Sequence, residues 1–187
     1  RWGSPITVAA GKNWFVNWAD FPSVVPAHDG LWTAHWLQQK PGGVYAYDVM
    51  TRLSADGGRT WSEPHSPHDD GTATEHGFVS IANIGGRPYG IWLDGRKTAG
   101  EGHAHGADNH AAPAGAMTPA GAIDGNEIDA RVCDCCQTDA AVSGAALLVV
   151  YRNRSEDETR DIQAARLEHG VWTTPVTVHA DGWRIDA

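Results

Sequence analysis

The chain has 187 residues, 41% of them hydrophobic, and a formal charge of −9 with its ten His neutral. That length carries one domain-sized core, and the acidic balance, with no basic run longer than Arg96-Lys97, argues against nucleic acid, whose phosphates need a positive face. No apolar run approaches membrane-spanning length, the longest being Ala145 to Tyr151. Nine Trp stand against three Phe and two Met, with 22 Gly and ten Pro, a profile of many short strands and tight turns rather than long helices. The chain starts at Arg1 with no initiator Met, which reads as a removed leader or a fragment.

Three Trp-x-x-Pro segments punctuate the chain: Trp2-Gly-Ser-Pro5, Trp61-Ser-Glu-Pro64 and Trp172-Thr-Thr-Pro175, spaced by 59 and then 111 residues. The second interval is nearly twice the first, which predicts a degenerate copy near Ala122. A repeat of about 55 residues suits a four-stranded propeller blade. In chain order, residues 1–8 read as the outer strand of one blade, 14–64, 76–125 and 131–178 as three further blades, and 183–187 as the start of another. Within them Phe21–Val25, Phe78–Ile81 and Thr138–Val142 are predicted innermost strands. Leu31–Leu37, Tyr89–Leu93 and Ala146–Tyr151 follow as second strands, and Tyr45–Leu53 and Ile162–Leu167 as third strands. Helical periodicity is absent over any useful length.

The sharpest motif is Ser54-Ala-Asp56-Gly57-Gly58-Arg59-Thr60-Trp61. It resembles the Asp-box, the S-x-D-x-G-x-T-W hairpin of sialidases and BNR-repeat propellers, with Ser54, Asp56, Gly58, Thr60 and Trp61 at the defining positions. The chemistry of the residues fits a turn: a carboxylate to accept turn amides, glycines for positive φ, and an indole to pack. In that family the hairpin is peripheral and structural, so Asp56 is not a catalytic candidate. Asp129–Ala140 and Tyr151–Ile162 are similar to bacterial exported sialidase-like proteins. The resemblance implies an all-β propeller of six four-stranded blades, of which this chain holds about three, and a periplasmic or extracellular location. The remaining blades are then expected from absent sequence or another chain, absent sequence being the favoured reading.

Propeller geometry sends the blade connections and the loops between second and third strands to one axial face. His65–His76, residues 94–110, the cysteine cluster and Arg152–Asp161 all fall on that set. Lys40, Arg96 and Arg154 recur just after the second strands, with Arg152 beside the last, a basic ring suited to an anionic sugar; Glu75, Asp94 and Asp161 are the candidate carboxylates. The Arg-Ile-Pro motif of the sialidase active site is missing, and no Tyr-Glu pair can be assigned from sequence. A solvated, self-paired Arg152–Asp161 loop is the competing reading.

His103, His105 and His110 lie within ten residues of Glu101, an arrangement workable for Zn or Cu or a plain polar insertion. Cys133, Cys135 and Cys136 have three readings: a disulfide, including a vicinal one; a soft-metal site; or a buried thiol cluster. Trp18, Trp32 and Trp36 can stack on sugars or pack between blades, and His35 reads as structural. Two functions follow. The favoured one is a noncatalytic propeller that binds a glycan, protein or metal through its Cys/His-rich axial face. The alternative is a sialidase-type glycoside hydrolase acting on an acidic sugar, which requires three arginines around one carboxylate and a Tyr-Glu pair nearby.

Overall fold

The structure is a computed structural model that describes residues 2–27, 30–98, 116–117, 123–124 and 127–184. Among these residues the chain is all-β, interrupted only by a single 3₁₀ turn at Arg96–Thr98. The first antiparallel sheet holds β1 (Ser23–Pro26), β2 (Trp32–Gln39) and β3 (Tyr47–Ser54) in that spatial order. β4 (His76–Ile84) pairs with β5 (Arg87–Asp94), and β6 (Ala116–Met117) with β7 (Ile123–Asp124). The last sheet runs β8 (Asp139–Ser143), β9 (Ala146–Arg152), β10 (Ile162–Glu168), after which both β11 (Val171–Trp172) and β12 (Val176–His179) pair with β10. These successive antiparallel meanders are the blades of a propeller-type fold. No helix of the described residues is long and apolar enough to cross a membrane.

The sheets stack face to face, and β5 shows why its sequence is apolar on both sides. Alternation sends Ile91 and Leu93 one way and Trp92 the other. Ile91 and Leu93 join Phe78, Val132, Leu147, Val149 and Tyr151 in the core between the second and last sheets. Trp92 joins Leu37, Tyr47 and Val49 between the first and second. The outward faces of the two end sheets keep exposed apolar side chains, Val24 on one and Leu148 and Val176 on the other.

Because stacked sheets share no ladder, side chains at the innermost strands tie them together. The Phe78 N–H donates to Asp20 Oδ2 at 2.7 Å, and the Phe78 carbonyl accepts from Thr138 Oγ1 at 2.8 Å. Gln137 closes the circuit by donating its side-chain N–H to the Ala19 carbonyl. Phe78 reaches both partners because the ladder slips between Gly77 and Ser80 and its own φ is 53°.

After β3 the chain turns through Ser54–Trp61. Asp56 Oδ1 accepts from the amides of Arg59 (3.0 Å) and Thr60 (2.9 Å), and Oδ2 accepts from the Thr60 hydroxyl at 2.8 Å. Those bonds from Thr60, with the Ser54 hydroxyl, hold the Asp56 pKa down at about 2. Ser54 Oγ accepts from Gly58 N at 2.8 Å, and the Trp61 indole caps the Gly58 carbonyl at 3.1 Å. Beyond the turn the outer strand is reduced to Ser62 N to Leu53 O at 2.8 Å and a two-bond pair between Thr51 and His65. Residues 2–8, expected as an outer strand, form none here. No neighbouring strand among the described residues offers them a ladder, and Arg52 Nη1 tethers them by donating to the Val8 carbonyl at 2.7 Å.

Gly58 sits at φ 82°, and a Cβ there would meet the Trp32 ring at 2.9 Å. Gly58→Ala is therefore expected to destabilise the chain by roughly 1–3 kcal/mol, measured as a lowered midpoint in thermal or urea denaturation.

Candidate functional site

The inter-sheet connection His65–His76 delivers two buried imidazoles to the seam between the first and second sheets. His68 and His76 stack with ring centroids 3.9 Å apart. His68 Nε2 accepts the Val49 amide at 3.2 Å, which puts its proton on Nδ1, 3.3 Å from Asp70 Oδ2. His76 Nδ1 faces the Tyr47 carbonyl at 3.3 Å, an atom that only accepts, and Nε2 faces Asp70 Oδ2 at 2.9 Å. Both ring nitrogens of His76 must therefore donate, and the ring is an imidazolium. Burial alone would strip that proton; the hydrogen bond and charge of Asp94, with Asp70, outweigh it and raise the pKa. His68, by contrast, is pushed down to about 4 by burial and by the charge of His76.

Two fixed cations complete the cluster. Arg96 Nε donates to both oxygens of Asp94 at 2.9 Å, and Lys40 pairs with Asp48. Burial raises the Asp94 carboxyl, but His76 and Arg96 hold it well below the usual carboxylate range. Asp70, likewise opposed by burial, is held at about 2 by Thr72 and His76. Three carboxylates, Asp48, Asp70 and Asp94, thus face Lys40⁺, Arg96⁺ and His76⁺, and the charges cancel. Asp48, His68 and His76, and also Asp70, His76 and Asp94, stand close enough to hold a metal ion. A divalent cation would have to displace the His76 proton and would overcompensate the charge.

One residue upstream of His76 the chemistry reverses. Glu75, half-buried, accepts a hydrogen bond on Oε1 from the Tyr47 hydroxyl. Burial raises Glu75 to about 7, partly offset by the Tyr47 bond and reinforced by the charges of Asp134 and Asp20. Asp20, only 3% exposed, is raised to about 6 by burial despite the Phe78 amide. The Tyr47 pKa is pushed far up by burial and by Glu75, so the phenol keeps its proton. Tyr47 has no solvent exposure; Phe15 stacks on it at 3.8 Å. Of this trio Glu75 alone reaches the surface.

Asp134 links this acid group to the cysteine and arginine segment. Cys133 and Cys136 form a disulfide, and Cys135 is a free, exposed thiol. Cys133 N donates to Arg152 O at 2.9 Å, which lays the cysteine segment beside the β9–β10 loop. There three guanidinium groups converge on Glu158: Arg131 Nη2 and Arg154 Nε to Oε1 at 3.0 Å each, and Arg160 Nη2 to Oε2 at 2.6 Å. Arg154 and Arg160 are 8% and 5% exposed, so this loop is an internal clamp rather than a solvated ion-pair surface. Arg154 Nη1 also lies 3.9 Å from Asp134 Oδ2.

The sequence candidates thus divide between two clusters. Lys40, Arg96 and Asp94 meet in the His76 network, where Asp94 is saturated by Arg96, His76 and the Trp92 indole at 3.2 Å. Arg154 belongs to the Glu158 clamp, and Arg152 turns away, its Nη1 on the Arg160 carbonyl and its guanidinium 5.4 Å over the Trp183 ring. Asp161 carries a buried Oδ1 with no hydrogen-bond partner among the described residues. The expected arginine ring does not assemble from Lys40, Arg96 and Arg154, since each is paired with a different carboxylate, Asp48, Asp94 and Glu158. The cysteines take the disulfide option, but between Cys133 and Cys136 rather than the vicinal pair, which removes two of the three thiolates a soft metal would need. His103, His105 and His110 lie outside the described residues. Trp36 is buried against Trp14, Trp32 covers Gly58, and Trp18 is 95% exposed. His35 is buried and faces Ser23 Oγ at 2.9 Å.

Sequence reasoning missed His68, His76, Asp48, Asp70, Tyr47, Asp20, Arg131 and Arg160. The density of His and Asp in His65–His76 was the available signal; the partners lie on other strands.

No protein-family model matches the chain, and no curated protein matches it. Among solved structures it is similar to the catalytic domain of the Coprinopsis cinerea GH62 α-L-arabinofuranosidase, with a TM-score of 0.48 and 12% identity. The match covers 87% of this chain and 51% of that one, so this chain spans about half the length of that structure.

The raised groups give stability a pH signature. Asp20 and Glu75 ionise more readily in the unfolded chain, so the stability these two groups contribute is full below about 4 and is lost as pH rises through about 6 to 7. The His76 contribution, present below its ordinary value of 6.5, is lost at still higher pH. Asp20→Asn keeps an acceptor for the Phe78 amide and removes one source of the loss. Burial lowers His35 and His68 to about 4, which gives a slope of opposite sign, so the readout is the difference between variant and wild type. Urea denaturation between pH 4 and 8 is expected to show Asp20→Asn gaining on wild type as pH rises, by up to about 3 kcal/mol.

Proposed function

We propose that the loop face of this chain binds an acidic sugar and that Glu75 transfers a proton at its glycosidic bond, in the manner of a sialidase-like propeller hydrolase. The observation that carries this reading is the Tyr47–Glu75 hydrogen bond, a carboxyl group with a pKa of about 7 held by a buried phenol and reaching the surface next to Asp134. A carboxyl group poised near neutrality can give its proton to a leaving oxygen and take one back from water. Asp134 supplies a second carboxylate. The Arg131–Arg154–Arg160 clamp supports the anionic part of the reading, because three guanidinium groups already hold one carboxylate, that of Glu158. A ligand carboxylate would compete with Glu158 for them. In this conformation Tyr47 positions Glu75 and does not itself meet a ligand.

That same burial favours a second reading, binding of the acidic sugar without turnover. Fluorogenic glycosides of sialic, glucuronic and galacturonic acid separate the two. The hydrolase reading expects fluorophore release from one of them, with kcat falling as pH rises through about 7, where Glu75 loses its proton. Glu75→Gln should lower kcat about 100-fold or more while sugar binding by calorimetry stays within a few-fold. Binding with no release leaves the noncatalytic reading, and no binding of any acidic sugar overturns both.

A further inference from the structure

The three cysteines are not used by the site above, and their sulfur atoms are arranged unequally. Cys133 is 1% exposed, Cys136 is half-buried and Cys135 is exposed. The Cys135 Sγ lies 3.7 Å from the Cys133 Sγ, so the one free thiol is in contact with the most buried atom of the disulfide. The segment is held there by the Cys133 amide on the Arg152 carbonyl and by the bridge between Val132 and Asn153. An external thiol or disulfide can meet Cys135 directly, whereas Cys133 is reached through Cys135.

We propose that Cys133, Cys135 and Cys136 form a thiol–disulfide relay in which Cys135 exchanges with a low-molecular-weight disulfide and passes the bond inward to the Cys133–Cys136 pair. Starting from three thiols, the Cys135 thiolate attacks one sulfur of the external disulfide, forming a mixed disulfide and releasing one small thiolate. The Cys133 thiolate then attacks Cys135 Sγ and expels the second small thiolate, leaving a Cys133–Cys135 bond. Finally the Cys136 thiolate attacks Cys133 Sγ and expels the Cys135 thiolate, giving the pairing observed. Two protein thiols are oxidised, the external disulfide is reduced to two thiols, and Cys135 ends as it began. The reverse sequence lets a small thiol open the buried bond.

The surroundings set the pace. Burial and the Asp134 and Glu75 charges raise the Cys135 thiol, opposed by Arg160, so the nucleophilic thiolate is a minor form at neutral pH and grows with pH.

Oxidised glutathione added to the fully reduced chain tests this, with the products trapped by acid and alkylation and mapped by tandem mass spectrometry. Wild type is expected to pass through glutathionylated Cys135 to the Cys133–Cys136 bond, faster as pH rises. Cys135→Ser should slow formation of that bond about tenfold or more. Cys136→Ser should stop at the Cys133–Cys135 bond with no glutathione retained. Circular dichroism checks that both variants fold, and the second reads the Cys133–Cys135 step even if the first does not. A Cys135→Ser rate equal to wild type overturns the relay, as does Cys136→Ser carrying glutathione on both remaining cysteines. Retention of added Zn²⁺ by the reduced wild type with no reaction towards oxidised glutathione also overturns it, in favour of a metal site.

Discussion

Asp20 accepts the main-chain amide of Phe78 across the gap between two sheets that share no ladder, and much of the molecule is arranged around that contact. Stacked blades are held by apolar packing, which is non-directional and leaves sheets free to slide by a fraction of a residue. A short hydrogen bond from a bulged innermost strand removes that freedom. Phe78 passes the constraint on, because its carbonyl takes the Thr138 hydroxyl that opens the last sheet. Glu75, His76 and Gly77 lie immediately before this fixed point, so their side chains inherit its position.

Two opposite electrostatic arrangements meet in those few residues. Around His76, buried charges are kept because each has a partner: three carboxylates, an imidazolium, a guanidinium and an ammonium. Around Asp20 and Glu75 the neighbours are carboxyl groups and a phenol, and burial favours the protonated forms. The two networks lie on either side of β4, one pointing at the His65–His76 connection and the other at the cysteine segment. Glu75 stands just before β4 and His76 opens it, so a saturated ion cluster and a protonated carboxyl group are neighbours in sequence, the His76 charge opposing the rise of Glu75 less than burial drives it.

The strands were largely legible, because alternation and β-branched content are local signals: Trp32–Gln39 and Ala146–Arg152 stand close to where the pattern predicts. The Ser54–Trp61 hairpin was legible for the same reason, since its side-chain bonds from Ser54, Asp56 and Trp61 close within eight residues, although Gly57 N also reaches the Gly30 carbonyl. The site was not. Tyr47 and Glu75 are separated by 28 residues, and nothing in either neighbourhood announces the other. Lys40, Arg96 and Arg154 were grouped because they recur at one blade position, but a guanidinium goes to the nearest carboxylate. The carboxylates, Asp94 and Glu158, are two and four residues away. Cysteine pairing was open because three sulfur atoms within four residues can all reach one another; the burial of Cys133 and the exposure of Cys135 come from the fold.

Gly77 bears on how such a chain can change over evolutionary time. A Cβ at this position would collide with Asp20 Oδ2 and come within 2.9 Å of the Tyr47 ring and 3.0 Å of its hydroxyl. The blade seam and the acid group therefore share one missing methyl group. A lineage that lost the Tyr47–Glu75 pair could not relax position 77 by that change alone, because the Asp20 pin would still occupy the space. Position 77 can take a side chain only after positions 20 and 47 have made room for it. An acid group coupled in this way to the packing of its own scaffold is retained by the fold itself, whatever it binds.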